Sequence, residues 1–439
     1  MLRRFALLAA FATMGVLAQD SSVIGRQALD YLLAERFPEL SAMFNNAMQE
    51  ILTLDVLRGR VHSELAGFGK PGNIGDPVIA RDAKSGVTLV SFPVAFSQAK
   101  VNVQFNIEDS GKLAAIHFRP ADAPLPASWQ HPSYAKADSF TAREVTVGSD
   151  PWKLGATLTV PVGKGPFPAF VLVHGPGPND RDESIRANKV FADIAEGLSS
   201  RGIVVLRYDK RTLAHGREMS EIPFTLKEET TDDALAAVAL MRMQPEADRA
   251  RIYVLGHSLG GYAAPRIAKA DGKLAGIIFL AANSRPVQEL LLDQTEYLSA
   301  AGVLPDDEAK KRLDLLKAET EKLQALRPGE ANPPVVMGLP SAWLLDVKNY
   351  DPASDAAKLT IPMLFLQGER DFQIGIKDFT RWKSALNGHA NATFQSYADL
   401  NHLFMSGKGR SLPAEYATPS NVSEAVIADI AKWIATAKH

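Results

Sequence analysis

The fold is decided by the stretch RIYVLGHSLGG, residues 251–261. It opens with an apolar run that ends at Gly256, and helical spacing follows from Leu259. A short apolar run bounded by glycine is typical of a buried strand. The stretch therefore predicts a strand, a sharp turn at Ser258 and a helix, and the small residues Gly256 and Gly260 let the chain cross itself closely there.

The same alternation of strand and helix continues on both sides of this segment. Before it, FPAFVLVHG precedes a helix predicted at 185–200, and GIVVLRYD precedes one at 227–243. After it, LAGIIFLAA, IPMLFLQGERD and ATFQSYADLNH supply further strands, with helices predicted near 377–386 and 422–438. Apolar strands that alternate with helices indicate an α/β fold with a doubly wound, mostly parallel sheet.

One long interruption, at about residues 284–350, separates the later strands. It is helical and charged, and Leu313, Leu316 and Leu323 mark one apolar stripe along it. Sheets of this kind bind ligands at the carboxyl ends of their strands. We therefore expect the interruption to form a helical lid over those ends.

The N-terminus predicts a secretory signal peptide over residues 1–18. Arg3 and Arg4 precede an apolar run that is too short to span a bilayer, and a small-residue cleavage pattern ends at Ala18. The chain has no cysteine, so the exported protein would have no disulfides. The expected location is periplasmic or secreted.

Two domains are expected after the signal peptide. Helical spacing followed by a period of two predicts a small α+β domain at 22–120. The proline-rich stretch at 121–139 is predicted to be a linker. The main domain, 140–439, opens with the predicted hairpin AREVTV and LGATLTVP.

Composition excludes several classes of function. The chain is 46% apolar and 22% charged with a net charge of −2, which gives no electrostatic reason to expect nucleic acid or an anionic membrane surface as a partner. No other stretch approaches the length of a transmembrane helix. Since metal-ligand spacing, a Walker motif and a dinucleotide fingerprint are all missing, neither a metal nor a cofactor is expected. The sequence leaves the oligomeric state open.

Ser258 is the candidate nucleophile. A strained strand-to-helix turn exposes a serine hydroxyl, and the helix N-terminus beneath it favours developing negative charge. The alternative is an ordinary turn. A serine hydroxyl needs a base to take its proton and an acid to orient that base.

His402 is the candidate base. In this type of fold the acid and then the histidine follow the serine, which leaves three of nine histidines. His389 lies in a polar turn and His439 is the last residue, whereas His402 directly follows the last apolar strand. His257, beside the nucleophile, is expected to point away from it and to pack under the sheet.

Asp371 is the preferred acid, because it lies beyond the penultimate strand with room to turn towards His402. Glu369, at the exit of the same strand, is the alternative. Asp399 is close to His402 in sequence, but it is badly placed to approach the imidazole from the other side.

Five motifs carry a resemblance to a known family. They are HGPGPNDRDES (174–184), RYDKR (207–211), GHSLGG (256–261), LQGERDFQ (366–373) and LNHLF (400–404). In this order they resemble the α/β-hydrolase superfamily across about residues 140–439. They are most similar to bacterial secreted esterase-like members with an HG-x-GP-x-DRDE loop. Such members often carry a small N-terminal module that ends in a motif like HFRPA, here 117–121. The resemblance implies a Ser258–Asp371–His402 triad that acts through an acyl-enzyme, and a broad serine aminopeptidase-like label.

The oxyanion hole is expected to use the backbone N–H groups of Leu259 and Gly177. In many of these hydrolases the residue after His174-Gly175 donates the second N–H, but here it is Pro176, which has none. Losing one donor costs about 10²- to 10³-fold in rate, so either Gly177 supplies the N–H or the enzyme is slow. The charged residues of DRDE (180–183) and YDKR (208–211) are expected to brace the site, and contact with the substrate is the alternative.

The function expected is hydrolysis of a carboxylic ester, so the predicted partner is a small-molecule ester or a short peptide. One alternative is a serine peptidase of the aminopeptidase or prolyl-peptidase type, which would need acidic lid residues to anchor a substrate amine. The other is a non-catalytic binding protein with a decayed site. The sequence does not assign the substrate-binding residues.

Overall fold

The computed structural model describes residues 21–52, 54–65, 68–82, 86–120, 129–327 and 339–436. The chain divides into two compact units, Met1–Leu125 and Pro126–His439. The predicted signal peptide and the first part of the predicted linker, residues 121–128, lie outside the described residues.

The first unit combines helices with an antiparallel sheet. Its helices are α1 (21–33), α2 (Phe37–Met43), α3 (Asn46–Ile51) and α4 (Leu54–Leu65), and its strands are β1 (Pro71–Ile74), β2 (Val78–Asp82), β3 (Val87–Phe96), β4 (Lys100–Glu108) and β5 (Leu113–Pro120). The strands run in the order β1–β3–β4–β5, and β2 also pairs with β3. Alternate residues such as Val90, Phe92 and Val94 face an apolar core shared with the helices, as the period of two requires.

The second unit is built on an eight-stranded sheet. The strands of this unit are β6 (Phe140–Val147), β7 (Leu154–Pro161), β8 (Phe167–Val173), β9 (Ser184–Ile185), β10 (Asn188–Lys189), β11 (Val204–Tyr208), β12 (Ala247–His257), β13 (Gly276–Leu280), β14 (Met363–Gly368) and β15 (Ala392–Tyr397). The main sheet has the order β15–β14–β13–β12–β8–β11–β7–β6, and β9 and β10 form a separate two-stranded ribbon. The six strands from β15 to β11 are parallel, whereas β7 and β6 are antiparallel.

Helices cover both faces of this sheet. The helices of the unit are α5 (Val190–Ser199), α6 (Arg211–Ala214), α7 (Gly216–Ser220), α8 (Asp232–Met243), α9 (Leu259–Asp271), α10 (Val287–Ala300), α11 (Asp306–Ala325), α12 (Ser341–Lys348), α13 (Pro352–Ala356), α14 (Ile376–Ala385) and α15 (Glu424–Thr436). One apolar cluster joins α8 and α9 to one face, and a second joins α5 and α15 to the other. The prediction of a doubly wound, mostly parallel sheet is therefore confirmed.

The helix predicted to begin near Ile185 begins at Val190 instead, so that boundary was wrong. The β9–β10 ribbon occupies residues 184–189, and left-handed backbone at Glu183 and Arg186 allows its tight turns (φ +47° and +54°). The Asn188 side chain anchors the ribbon by donating to the Tyr416 carbonyl at 2.8 Å.

The interruption between β13 and β14 is helical, as predicted. It contains α10, α11 and α12, while residues 328–338 lie outside the described part of the chain. Leu316 and Leu323 of the predicted apolar stripe are buried, and Leu313 is half-buried. Among the described helices, none combines the length and the apolar character that crossing a membrane requires.

Candidate active site

Ser258 lies at the sharp turn between β12 and α9. Its backbone has φ +52° and ψ −117°, a strained conformation for a residue with a side chain. A Cβ on Gly256 would lie 2.3 Å from the Gly260 backbone, and a Cβ on Gly260 would lie 2.1 Å from the Val173 carbonyl oxygen. The turn therefore requires glycine on both sides of the serine.

His402 and Asp371 meet at the carboxyl ends of the last two strands. His402 Nδ1 lies 2.7 Å from Asp371 Oδ2, and both side chains are buried. The other carboxylate oxygen of Asp371 accepts the backbone N–H groups of Gln373 and Ile374, at 2.8 and 2.9 Å. These bonds fix the carboxylate so that it can hold the imidazole in one orientation.

The alternative candidates lie elsewhere. Glu369 accepts a hydrogen bond from the Ser396 hydroxyl at 2.7 Å and is exposed. Asp399 is exposed, and its carbonyl accepts the N–H of Gly407. His389 is half-buried in a turn at the surface, and His439 lies outside the described residues.

The structure places Ser258 and His402 in one region without a direct bond. Across the described residues, no hydrogen bond joins Ser258 Oγ to His402, and Ser258 lines a cavity. The link between them is His257, which precedes the serine and whose ring centroid lies 4.7 Å from that of His402. Catalytic hydrogen bonds are often long without a substrate and tighten in the complex.

His257 is buried as expected, but its ring also contacts Glu183 and the backbone of His402 instead of only packing under the sheet. Its Nδ1 lies 2.8 Å from Glu183 Oε2, and its Nε2 lies 3.1 Å from the His402 carbonyl oxygen. Burial opposes charge on both partners. Even so, their mutual attraction and hydrogen bond hold the pKa of Glu183 below its usual range and raise the pKa of His257. Sequence reasoning missed this pair, because its partners are 74 positions apart.

The loop after β8, residues 174–179, is called the oxyanion loop for the role predicted for Gly177, and side chains hold it through hydrogen bonds to its backbone. The Gly175 N–H donates to Glu183 Oε1 at 2.7 Å, and the Pro176 carbonyl accepts from Asn179 Nδ2 at 3.0 Å. Gly177 has φ +88°, a conformation that favours glycine. Its carbonyl accepts from the Thr212 hydroxyl at 3.0 Å, so the loop is fixed at three successive residues.

The charged residues of DRDE and YDKR brace this loop, as predicted. Arg181 forms ion pairs with Asp209 and Glu144, and their hydrogen bonds and charges outweigh burial and raise the pKa of the guanidinium. Asp182 pairs with Lys189 at 2.9 Å and with Arg207 at 3.2 Å. In the second motif, Arg211 pairs with Asp233 inside the protein.

A cavity of about 400 Å³ opens beside Ser258. Its walls come from the oxyanion loop, the start of α9 and the helices α10 and α12 of the predicted lid. Most of the side chains that line it are apolar, among them Phe224, Val287, Leu290, Leu291, Trp343 and Val347. A volume of this size falls in the lower part of the range for small-molecule sites, roughly 300–1,000 Å³.

Glu229 is the charged residue of this wall, as far as the described lining extends. Its Oε1 lies 2.6 Å from Lys210 Nζ, and its Oε2 accepts the indole N–H of Trp343 at 2.6 Å. Lys210 also donates to the Gly175 carbonyl at 2.8 Å, which ties the oxyanion loop to α12. Both carboxylate oxygens are therefore occupied by internal donors.

Two acidic residues of the lid, Asp293 and Asp307, lie beside basic side chains. Asp293 pairs with Arg285 at 2.8 Å and with Lys377 at 2.9 Å. Asp307 is exposed and lies near Lys311. Within the described residues, no group of three or more histidine, aspartate or glutamate side chains is arranged to hold a metal ion.

A serine on a tight strand-to-helix turn, a buried acid–histidine pair at the strands two and three places further along the sheet, and a mostly parallel sheet define an α/β-hydrolase. The family described as "Serine aminopeptidase, S33" matches residues 171–408, and the chain belongs to that family. The protein is therefore a hydrolase.

The chain is 36% identical to "Esterase EstD" of Thermotoga maritima over 415 residues, which cover 92% of this chain and 93% of that protein. Among solved structures, it is similar to Est1E from Butyrivibrio proteoclasticus, with a TM-score of 0.43 and 16% identity over 67% of this chain and 99% of that one. It is also similar to the esterase domain of a Rhodothermus marinus protein, with a TM-score of 0.41 and 18% identity over 68% and 99% of the two chains.

Proposed function

We propose that the protein hydrolyses carboxylic esters through an acyl-enzyme, with Ser258 as nucleophile, His402 as general base and Asp371 as the acid that orients it. The observation that carries this proposal is the buried 2.7 Å bond between Asp371 and His402 Nδ1, placed beside the turn that presents Ser258. Nucleophile, base and orienting acid are the three roles that activation of a serine hydroxyl requires.

Each step of the reaction has a residue to perform it. Ser258 Oγ attacks the carbonyl carbon of the ester while His402 Nε2 accepts the hydroxyl proton. The tetrahedral intermediate collapses, the C–O bond to the alcohol breaks, and the alcohol leaves with the proton from His402. Water then attacks the acyl-enzyme with His402 again as base, which releases the acid and restores the serine. Asp371 stabilises the imidazolium in both halves.

The oxyanion donors proposed are the N–H groups of Leu259 and Gly177. Leu259 is the first residue of α9, so its N–H has no partner within the helix. In the loop, the Gly175 N–H is occupied by Glu183. A trans peptide points its N–H opposite to the preceding carbonyl. Because the Pro176 carbonyl points to Asn179, the Gly177 N–H faces away from Asn179, and Gly177 lines the cavity with Ser258.

The substrate class proposed is a neutral ester with an apolar acyl or alkyl group. The apolar cavity wall favours such a group, and the activity that the name Esterase EstD gives its relative supports the ester class. An aminopeptidase needs a carboxylate that can bind the substrate amine. Glu229 already binds Lys210 and Trp343, and Asp293 binds Arg285 and Lys377, so neither favours that alternative.

The test compares purified protein with its Ser258→Ala variant on short p-nitrophenyl esters. We expect kcat to fall by about 10⁴-fold or more, and a fluorophosphonate probe to label only the protein with the serine. Unchanged turnover in Ser258→Ala would contradict the mechanism. Faster cleavage of aminoacyl anilides than of esters would favour a peptidase, and no labelling would favour a binding protein.

We also propose that the protein is exported to the periplasm or beyond. The positive residues and short apolar run before Ala18 support this. Mass spectrometry of protein from the exported fraction should find Gln19 as the N-terminal residue.

A further inference from the structure

His257, the residue before Ser258, forms a buried pair with Glu183, and none of the steps above uses this pair. The side chains of His257 and Glu183 are 2% and 1% exposed. One oxygen of Glu183 lies 2.8 Å from His257 Nδ1, and the other accepts the N–H of Gly175 at 2.7 Å. The carboxylate therefore joins the oxyanion loop to the turn that carries the nucleophile.

His257 faces an acceptor on each side of its ring. Its Nε2 lies 3.1 Å from the His402 carbonyl oxygen, and a carbonyl can only accept a hydrogen bond. An ionised carboxylate, on the side of Nδ1, also only accepts. Because a neutral imidazole has one N–H, both contacts are made only when each ring nitrogen carries a proton. With an ionised Glu183 the geometry requires an imidazolium. The alternative, a protonated Glu183 that donates to Nδ1 of a neutral imidazole, is disfavoured, because the lowered pKa of Glu183 and the raised pKa of His257 favour charge on both groups.

This cation lies against the catalytic base. The ring centroids of His257 and His402 are 4.7 Å apart with an angle of 40° between the planes. Glu183 contacts Nδ1 of His257, the ring nitrogen opposite the one that faces the His402 carbonyl. A like charge in contact disfavours a second protonation. Asp371, bonded to His402 Nδ1, acts in the opposite direction.

The other titratable groups in this region are neutral or separately paired. Burial lowers the pKa of His174 to about 4, so it is neutral at pH 7. Burial raises the pKa of Tyr416, which bonds Gln373 beside Asp371. Lys210, which bonds the Gly175 carbonyl, is paired with Glu229.

We propose that Glu183 and His257 form a fixed carboxylate–imidazolium pair. The pair positions the loop after β8, the turn at Ser258 and the loop that carries His402, and it sets the acidic limit at which His402 acts as a base. The proposal rests on the proposed function for the role of His402. Both members are positioning residues, because they act through Gly175 and His402 and do not touch the reacting atoms.

The first test observes the protons directly. The intact protein is labelled with ¹⁵N-histidine, and the His257 signals are assigned by their loss in His257→Gln. We expect both ring nitrogens of His257 to be protonated from pH 6 to pH 8. A single ring proton at pH 7.5 would overturn the pair. This measurement needs no turnover, so it stands or fails separately from the Ser258→Ala test of the proposed function.

The second test measures the pH dependence of kcat/KM in the double variant Glu183→Gln with His257→Gln. The double variant removes the His257 cation, whose ring contacts His402, together with the Glu183 carboxylate on the other side of that ring. The acidic limb of the kcat/KM profile should therefore move up by about one pH unit. We also expect kcat to fall about 10- to 100-fold while KM changes by less than about threefold.

The control is Asp271→Asn, which breaks the pair between Asp271 and Arg242 at the other end of α9. It should leave the acidic limb in place. An unchanged limb in a folded double variant would overturn the proposed effect on His402. If the double variant does not fold, the proton measurement on the intact protein decides.

Discussion

Two adjacent residues of the oxyanion loop offer different backbone groups: Pro176 has no N–H, and Gly177 has one that faces away from Asn179. If Gly177 is the second oxyanion donor, a new N–H at position 176 adds little. We therefore predict that Pro176→Gly keeps kcat/KM for p-nitrophenyl acetate within about threefold of the original value, well inside the 10²-fold effect of a true donor. A rise of about 10²-fold or more would show that the proline had removed the donor.

The buried His174 ring makes the stability of the folded protein depend on pH. Its ring is buried between Phe191 and Tyr208, and burial lowers its pKa to about 4. In the unfolded chain the pKa of this histidine is near 6.5. Between pH 4 and pH 6.5 the unfolded chain therefore binds more protons than the folded protein. The folded state therefore loses stability as the pH falls from about 6.5 to about 4, by up to about 3 kcal/mol.

The measurement is urea unfolding of the protein and of His174→Gln at pH 7, 6 and 5. The variant should be less stable at pH 7, because it loses the packing of the ring. The gap between the two proteins should then narrow as the pH falls, because the glutamine does not titrate. A constant gap at all three pH values would contradict the prediction.

Among the helices and strands, the sequence predicts those that depend only on local patterns. The strand before Ser258 and the helix after it follow from an apolar run, two glycines and helical spacing, and β12 and α9 lie where these patterns place them. The β9–β10 ribbon could not be predicted in the same way. It depends on left-handed backbone at two non-glycine residues and on Asn188, whose partner Tyr416 is 228 positions away.

The lid helix α10 gives a prediction about substrate length. Leu290 lines the apolar cavity, so Leu290→Trp should fill part of its volume of about 400 Å³. We expect the ratio of kcat/KM for an octanoate ester to that for an acetate ester to fall by about tenfold, a loss of roughly 1.4 kcal/mol of binding to the longer chain.

The matched control is Leu315→Trp on α11, since Leu315 is 60% exposed and does not line the described cavity wall. It should leave the ratio unchanged. An equal drop in both variants would point to a general disturbance of the lid, and no change in Leu290→Trp would show that the acyl group binds elsewhere.

For the whole molecule, the order of serine, acid and histidine along the chain was enough to propose Ser258, Asp371 and His402 as the catalytic residues. In a parallel sheet the carboxyl ends of the strands meet at one edge, and the order β15–β14–β13–β12 brings the three loops together. The supporting pairs were missed. These pairs join residues that are far apart in the chain, Glu183 with His257 over 74 positions and Glu229 with Trp343 over 114. No local sequence pattern predicts such contacts.

The division of the chain into two units predicts how the second unit behaves by itself. The first unit has its own apolar core around Leu29, Phe92 and Val103, and the second has two clusters, one on each face of its sheet. A unit with its own core can fold alone. Every residue of the proposed mechanism lies after Pro126. A chain of residues 126–439 should therefore unfold cooperatively and keep kcat/KM for p-nitrophenyl acetate within about threefold of the intact protein.

The same chain with Ser258→Ala provides the background rate. A folded but inactive fragment would mean that catalysis needs the first unit, and an unfolded fragment would mean that the second unit's core is insufficient by itself.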